Sequence, residues 1–203
     1  SSWVDVVPLK NGHYVVSRPF AADRKGMITW GNGSTGGSVG IADPTKSLLG
    51  MTSGDLVGLR TSSGWSRTGI LPLTDGDYVV TSTHWGPERN NRGAVTWVNG
   101  GGPVSGQVSL VNSLIGPEGA KIGSGGVIAL RNGNYFINSP DWNRGRGGWT
   151  WGGDDGVTRG LLAASSVVEG RGAFDSLGYQ PSIALPDGRV LGVFLAEAVC
   201  EYA

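Results

Sequence analysis

Three stretches of this chain combine an aromatic ring with paired cations. The first is Arg18-Pro19-Phe20-Ala21-Ala22-Asp23-Arg24-Lys25-Gly26. The second is His84-Trp85-Gly86-Pro87-Glu88-Arg89-Asn90-Asn91-Arg92-Gly93. The third is Asp141-Trp142-Asn143-Arg144-Gly145-Arg146-Gly147. In each, the ring stands six or seven residues after a tyrosine (Tyr14, Tyr78, Tyr135). Such a set can bind sugars or anions: the ring stacks on a pyranose face, and Arg and Asn supply directional donors. Several weak equivalent sites would gain through avidity. The candidate ligand-binding residues are therefore Phe20, Arg24, Trp85, Arg89, Arg92, Trp142, Arg144 and Arg146. The competing reading of the same residues is structural, with the ring capping a core and the arginines a solvated tip.

Catalytic chemistry has a thinner basis. The two histidines, His13 and His84, stand alone beside a turn and in a loop. There is no nucleophile elbow, phosphate-binding loop or metal-spaced histidine pair. The adjacent pair Asp154-Asp155 sits in a glycine-rich turn, where carboxylates are ordinarily solvated. Glycoside hydrolysis needs two carboxylates across a cleft, and nothing in the order of residues singles out such a pair. The expectation is a protein without catalytic residues, bound metal or cofactor.

The elements that must carry these stretches repeat with them. Leu9-Lys10-Asn11-Gly12-His13-Tyr14-Val15-Val16, Leu73-Thr74-Asp75-Gly76-Asp77-Tyr78-Val79-Val80 and Leu130-Arg131-Asn132-Gly133-Asn134-Tyr135-Phe136-Ile137 are copies of one pattern. A fourth, Leu185-Pro186-Asp187-Gly188-Arg189-Val190, lacks the tyrosine. A Thr-Trp landmark follows at Thr29-Trp30, Thr96-Trp97 and Thr150-Trp151. Next comes Ser47-Leu48-Leu49-Gly50, matched by Ser113-Leu114-Ile115-Gly116 and loosely by Ser166-Val167-Val168-Glu169-Gly170. The period is roughly 55–65 residues, and the chain holds about three and a half copies.

Asn-Gly and Asp-Gly between apolar runs predict β-hairpins with type I′ turns. Val6–Leu9 should pair with Tyr14–Ser17, Ile70–Leu73 with Tyr78–Thr81, and Val127–Leu130 with Tyr135–Asn138. The Thr-Trp segment gives a third strand. A fourth is expected near Gly37–Ile41, Gly106–Leu110 and Arg159–Leu162, with Ser-Leu-Leu-Gly as a connector. The fold class is all-β: repeated four-stranded antiparallel units, read as a small, about four-bladed β-propeller, with an open β-repeat array as the alternative. One domain, 1–203, would hold units at about 1–58, 59–123, 124–170 and 171–203. Tyr14, Tyr78, Tyr135, Trp30, Trp97 and Trp151 are expected in the core or in the packing between units.

Composition agrees. Glycine supplies 37 of 203 residues, more than twice the usual share, and clusters between short apolar runs as tight turns demand. Lys+Arg and Asp+Glu are 16 each, which gives no charge basis for nucleic-acid or membrane-surface binding. A single cysteine, Cys200, leaves no intrachain disulfide. No stretch is long and apolar enough for a membrane-spanning helix.

The stretches Asn132-Gly133-Asn134-Tyr135 with Ser139-Pro140-Asp141-Trp142, Arg92-Gly93-Ala94-Val95-Thr96-Trp97, and Val111-Asn112-Ser113-Leu114-Ile115-Gly116 resemble a tandem repeat of very large bacterial surface proteins of the filamentous-haemagglutinin or adhesin-like type. The resemblance covers roughly residues 3–170. It implies secretion, an extracellular or cell-surface setting, and adhesion to a glycan or other surface ligand. It names no ligand and no catalytic residue. The resulting expectation is a non-catalytic adhesion or carbohydrate-binding module. The alternative is a structural subunit of a surface filament or layer, self-assembling through edge strands. A propeller-based glycan-active enzyme ranks third.

Overall fold

The computed structural model describes residues 3–36, 43–62, 65–87, 90–173, 175–193 and 199–202. The first unit pairs β1 (Asp5–Pro8) with β2 (Tyr14–Arg18), β2 with β3 (Met27–Gly31) and β3 with β4 (Ser47–Leu49), all antiparallel. A separate hairpin follows, β5 (Leu59–Ser62) and β6 (Trp65–Thr68). The second unit repeats the first as β7 (Ile70–Pro72), β8 (Tyr78–Ser82) and β9 (Ala94–Val98). A short β10 (Gly106–Gln107) comes next, and then β11 (Leu114–Ile115), antiparallel to β9.

The third unit runs β12 (Gly126–Ala129), β13 (Tyr135–Ser139), β14 (Gly148–Gly152), β15 (Gly160–Leu161) and β16 (Val168–Glu169). The fourth contributes β17 (Ile183–Ala184), β18 (Val190–Val193) and β19 (Val199–Tyr202), paired in that order. The chain is thus an all-β repeat of mostly antiparallel sheets, none of which closes on itself among the described residues.

The hairpin pairings match the sequence expectation, but the turn differs. Leu9 N donates to His13 O at 2.8 Å and Gly12 N to Leu9 O at 3.3 Å. Only Gly12 of the loop lies at positive φ, 87°. This is a three-residue loop, a type I turn followed by a left-handed glycine, and not a type I′ turn. The reason is the side chain before the glycine. Asn11 Oδ1 accepts the His13 N–H, as Asp75, Asn132 and Asp187 do for the amides two residues on. The fourth copy keeps this turn without the tyrosine, since the turn depends on Asp187 and Gly188 alone.

The fourth strand also differs. Ser47–Leu49 and Leu114–Ile115, expected as connectors, are the true fourth strands. Their serines explain why: Thr29 Oγ1 and Ser47 Oγ lie 2.8 Å apart, and Thr96 Oγ1 and Ser113 Oγ 2.7 Å apart, all buried. Each hydroxyl pair pins the fourth strand to the Thr-Trp strand. In the third unit Val167 takes the serine's place, and Thr150 Oγ1 is buried without a partner among the described residues. The segments expected as fourth strands shrink to two residues and cross to the preceding unit. There β10 pairs parallel with β4, and β15 with β11. Gly37–Ile41 lies outside the described residues.

Alternation then decides the packing. On β8, Tyr78 and Val80 enter one apolar cluster with first-unit residues, while Val79 enters a second with third-unit residues. On β13, Tyr135 and Ile137 face that second cluster, and Phe136 joins a third with Val190 of the fourth unit. The core of the described residues is therefore three layers, each between consecutive units. Sheets covered on both faces leave no solvent side, so strands such as Tyr78–Ser82 are buried at every position. Tyr78 and Tyr135 are fully buried and Trp30 nearly so, while Tyr14, Trp97 and Trp151 are half-buried.

Candidate functional site

The aromatic-and-arginine stretches form the loops between the second and third strand of each unit. In the first, a four-residue helical turn, Ala21–Arg24, winds left-handed at Ala22 (φ 52°, ψ 52°) and Asp23 (φ 57°, ψ 48°). In the third, Trp142–Gly145 does the same at Asn143 (φ 46°, ψ 58°) and Arg144 (φ 60°, ψ 39°). In the second, Asn91 has φ 47°. Each non-glycine residue held there costs roughly 1–2 kcal/mol, so something must hold it.

What holds it is the start of the next unit. The left-handed turn aims backbone carbonyls at the incoming connector. Val57 N donates to Lys25 O (2.9 Å), Lys121 N to Asn91 O (3.0 Å) and Leu177 N to Arg146 O (3.0 Å). Gly54 N and Leu56 N both reach Arg24 O at 3.0 and 3.2 Å, and Ser176 N reaches Gly145 O at 2.9 Å. The connector leaves no room for a side chain: a Cβ on Gly93 would stand 2.5 Å from Ile122 N. The strained loop is a latch between successive units.

The candidate residues divide accordingly. Gly26, Gly93 and Gly147 each donate N–H to Ala21, Trp85 and Trp142 O, which makes those three positions equivalent. Phe20 is one residue earlier, in line with His84 and Asp141, so the three aromatic rings are not copies of one position. Trp85 and Trp142 are 6% and 4% exposed and belong to the inter-unit clusters, so neither ring has a free face for a sugar. Phe20 is half-buried, with its centroid 6.5 Å from that of Trp3 and the Arg24 guanidinium 5.6 Å above its ring. Arg24, Arg144 and Arg146 are exposed, and Arg92 is half-buried. Arg89 lies outside the described residues.

Sequence reasoning missed the carboxylate of this region. Glu169 Oε1 accepts from Trp142 Nε1 at 2.6 Å and from Asn143 Nδ2 at 3.3 Å, and Arg146 stands 3.9 Å from Glu169 Oε2. Glu169 occupies the strand position that Leu49 and Ile115 hold in the other units. A charged residue replacing an apolar one in the third copy is the signal that points to it.

Charge also gathers around His84. The Lys121 ammonium is 3.9 Å from Asp141, and burial, then Lys121 and Arg24, push the His84 imidazolium below its ordinary pKa. The folded state therefore favours neutral His84. The stability this confers is complete above the unfolded value near 6.5 and is lost as pH falls toward the lowered folded value. His84→Gln is expected to flatten this part of the acid limb. Urea unfolding from pH 8 to pH 5 measures it, and parallel wild-type and variant profiles would overturn it.

Among the described residues, no three of His, Cys, Asp and Glu converge to hold a metal ion, and no helix is long and apolar enough to cross a membrane. Latched loops, shared clusters and crossing parallel strands together define a tandem β-repeat protein. Residues 8–59, 72–124 and 129–179 each match the family model described as a repeat of unknown function, DUF5650. The chain belongs to that family. No curated protein matches it.

Proposed function

We propose that this chain is a non-catalytic binding module of a cell-surface, adhesive kind, with the unit stack as scaffold and the loops as contact surface. The observation that supports this best is the repeated left-handed loop. It sets charged tips, Asp23 and Arg24 in the first unit and Arg144 and Arg146 in the third, on corresponding loops of the two units. Equivalent weak contacts on a rigid repeat suit multivalent recognition. Because Trp85 and Trp142 are spent on the core, the donors are arginines and amides and not stacked rings. A dense glycan array probed with a multimerised form of the chain tests the reading. Binding that falls when Arg24, Arg144 and Arg146 become Gln supports it; no binding at high valency removes it.

A second reading, assembly, has its own support. Val4 (47% exposed) and Val6 (59%) lie in the first unit and Ile183 (59%) in the fourth. Packing the first unit against the fourth would cover them. Within one chain this closes a four-bladed propeller; between chains it builds a filament. Small-angle scattering at several concentrations separates the cases. A compact monomer supports closure, a concentration-dependent rise in mass supports assembly, and an extended monomer removes both.

A further inference from the structure

The hairpin of β5 and β6 is not needed by the repeat. Gly69 N donates to Gly58 O at 2.8 Å, closing the hairpin's neck between these two glycines. The corresponding glycines of the next junction, Gly123 and Gly126, make the same bond (Gly126 N to Gly123 O, 2.9 Å) with only Ser124 and Gly125 between them. Residues 60–71 also fall between the family matches. This segment is a decoration on a scaffold that folds elsewhere without it.

Its charges are arranged against its own stability. Arg60 and Arg67 stand directly opposite each other in the hairpin register. Like charges in cross-strand pairs are destabilising. Neither has a carboxylate partner among the described residues. Arg67 is exposed. Arg60 is half-buried, and among the described residues its guanidinium makes one hydrogen bond, from Nη1 to Ser124 O at 3.2 Å. A guanidinium carries five N–H donors, so most of this fork has no partner among the described residues. Burial, then Arg67, act against its charge.

Arg60 forms one wall of a cavity of about 180 Å³ between β7 and β12. Thr68 and Thr81 line it beside the cation, and Ile70 and Val127 supply an apolar wall. A space of this size is below the roughly 300–1,000 Å³ of sites that enclose a whole drug-sized ligand. It suits one charged group and its ring, with the rest of a chain running out to solvent. A planar fork with spare donors matches the paired oxygens of a carboxylate or sulfate.

We propose that this cavity binds the carboxylate or sulfate group of an acidic glycan, with Arg60 gripping the anionic oxygens and Arg67 adding the second positive charge. The glycan part rests on the binding-module reading above; the anion site rests on the hairpin. Bound anion would also relieve the Arg60–Arg67 repulsion, so the ligand completes what the fold leaves unbalanced.

The test titrates the full chain, with its arginine side chains isotope-labelled, with tetragalacturonate, a sulfated tetrasaccharide, neutral galactotetraose and sodium sulfate. One acidic tetrasaccharide should shift the Arg60 Nε–H resonance saturably, while the neutral one should not. Arg60→Gln should raise Kd about tenfold or more, with Arg60→Lys recovering part of the loss. An unchanged melting temperature for Arg60→Gln shows that the fold is intact. Equal affinity of wild type and an Arg60→Gln/Arg67→Gln double variant overturns the proposal, and so does a response to sodium sulfate without one to either acidic tetrasaccharide. If the double variant still binds the glycan array as wild type does, this site fails while the binding-module reading stands.

Discussion

Gly93→Ala is expected to destabilise the protein by about 2–5 kcal/mol, against about 1–2 kcal/mol for Gly12→Ala. Both glycines lie at positive φ, 74° and 87°. An alanine Cβ at Gly12 would meet nothing within 4 Å, so only the left-handed backbone is penalised. At Gly93 the Cβ would meet the Ile122 backbone nitrogen at 2.5 Å and the Lys121 carbonyl carbon at 2.8 Å. These are backbone atoms of the connector, and no rotamer change moves them aside. Relief requires the connector to lift, which breaks the bonds from Gly119 N to Asn90 O, Lys121 N to Asn91 O and Ile122 N to Arg92 O. The latch between the second and third units is then lost. Urea melts of the two variants measure the difference. A Gly93→Ala penalty no larger than that of Gly12→Ala would show that the connector does not lean on the loop.

The same latch explains what the sequence could and could not reveal. Hairpins were legible because Leu-x-Asn/Asp-Gly encodes them within a few residues. The turn type was not, because it depends on Asn11 turning its own side chain onto the His13 amide. Ser47-Leu48-Leu49 reads as a connector because it is short; its identity as a strand comes from Thr29, far back in the chain. The fourth-strand segments failed for a similar reason, since Gly106 and Gly160 find partners in the preceding unit.

Register divides the three aromatic candidates. Phe20 resembles Trp85 and Trp142 in type and spacing, yet Ala21 holds the equivalent position, and burial of the two tryptophans is a tertiary fact. Arg60 and Arg67 show in sequence only as part of the longer first interval between repeats. The cavity beside Arg60 exists because β7 and β12 belong to adjacent units, which no local pattern expresses.

Trp149→Ala is expected to cost about 3–5 kcal/mol, with the loss confined to the fourth unit. Trp149 is 1% exposed and sits, among the described residues, in the smallest of the three layers, with Leu130, Phe136, Leu177 and Val190. Its ring centroid is 5.6 Å from that of Phe136. Its other side lies on Gly192 of β18, where an added Cβ would stand 2.1 Å from the indole. The ring thus bridges β14 and β18 of the last hairpin. In a serial stack each unit is stabilised by its neighbours alone, so a cavity at one junction is not averaged over the whole. Hydrogen exchange resolves this. In Trp149→Ala the backbone amides of Leu191 and Gly192 should lose protection, while Val15 and Val80, buried in the first layer, should keep theirs. Uniform loss across all four units would mean that the stack melts as one body, and the layers would then be coupled more tightly than their contacts imply.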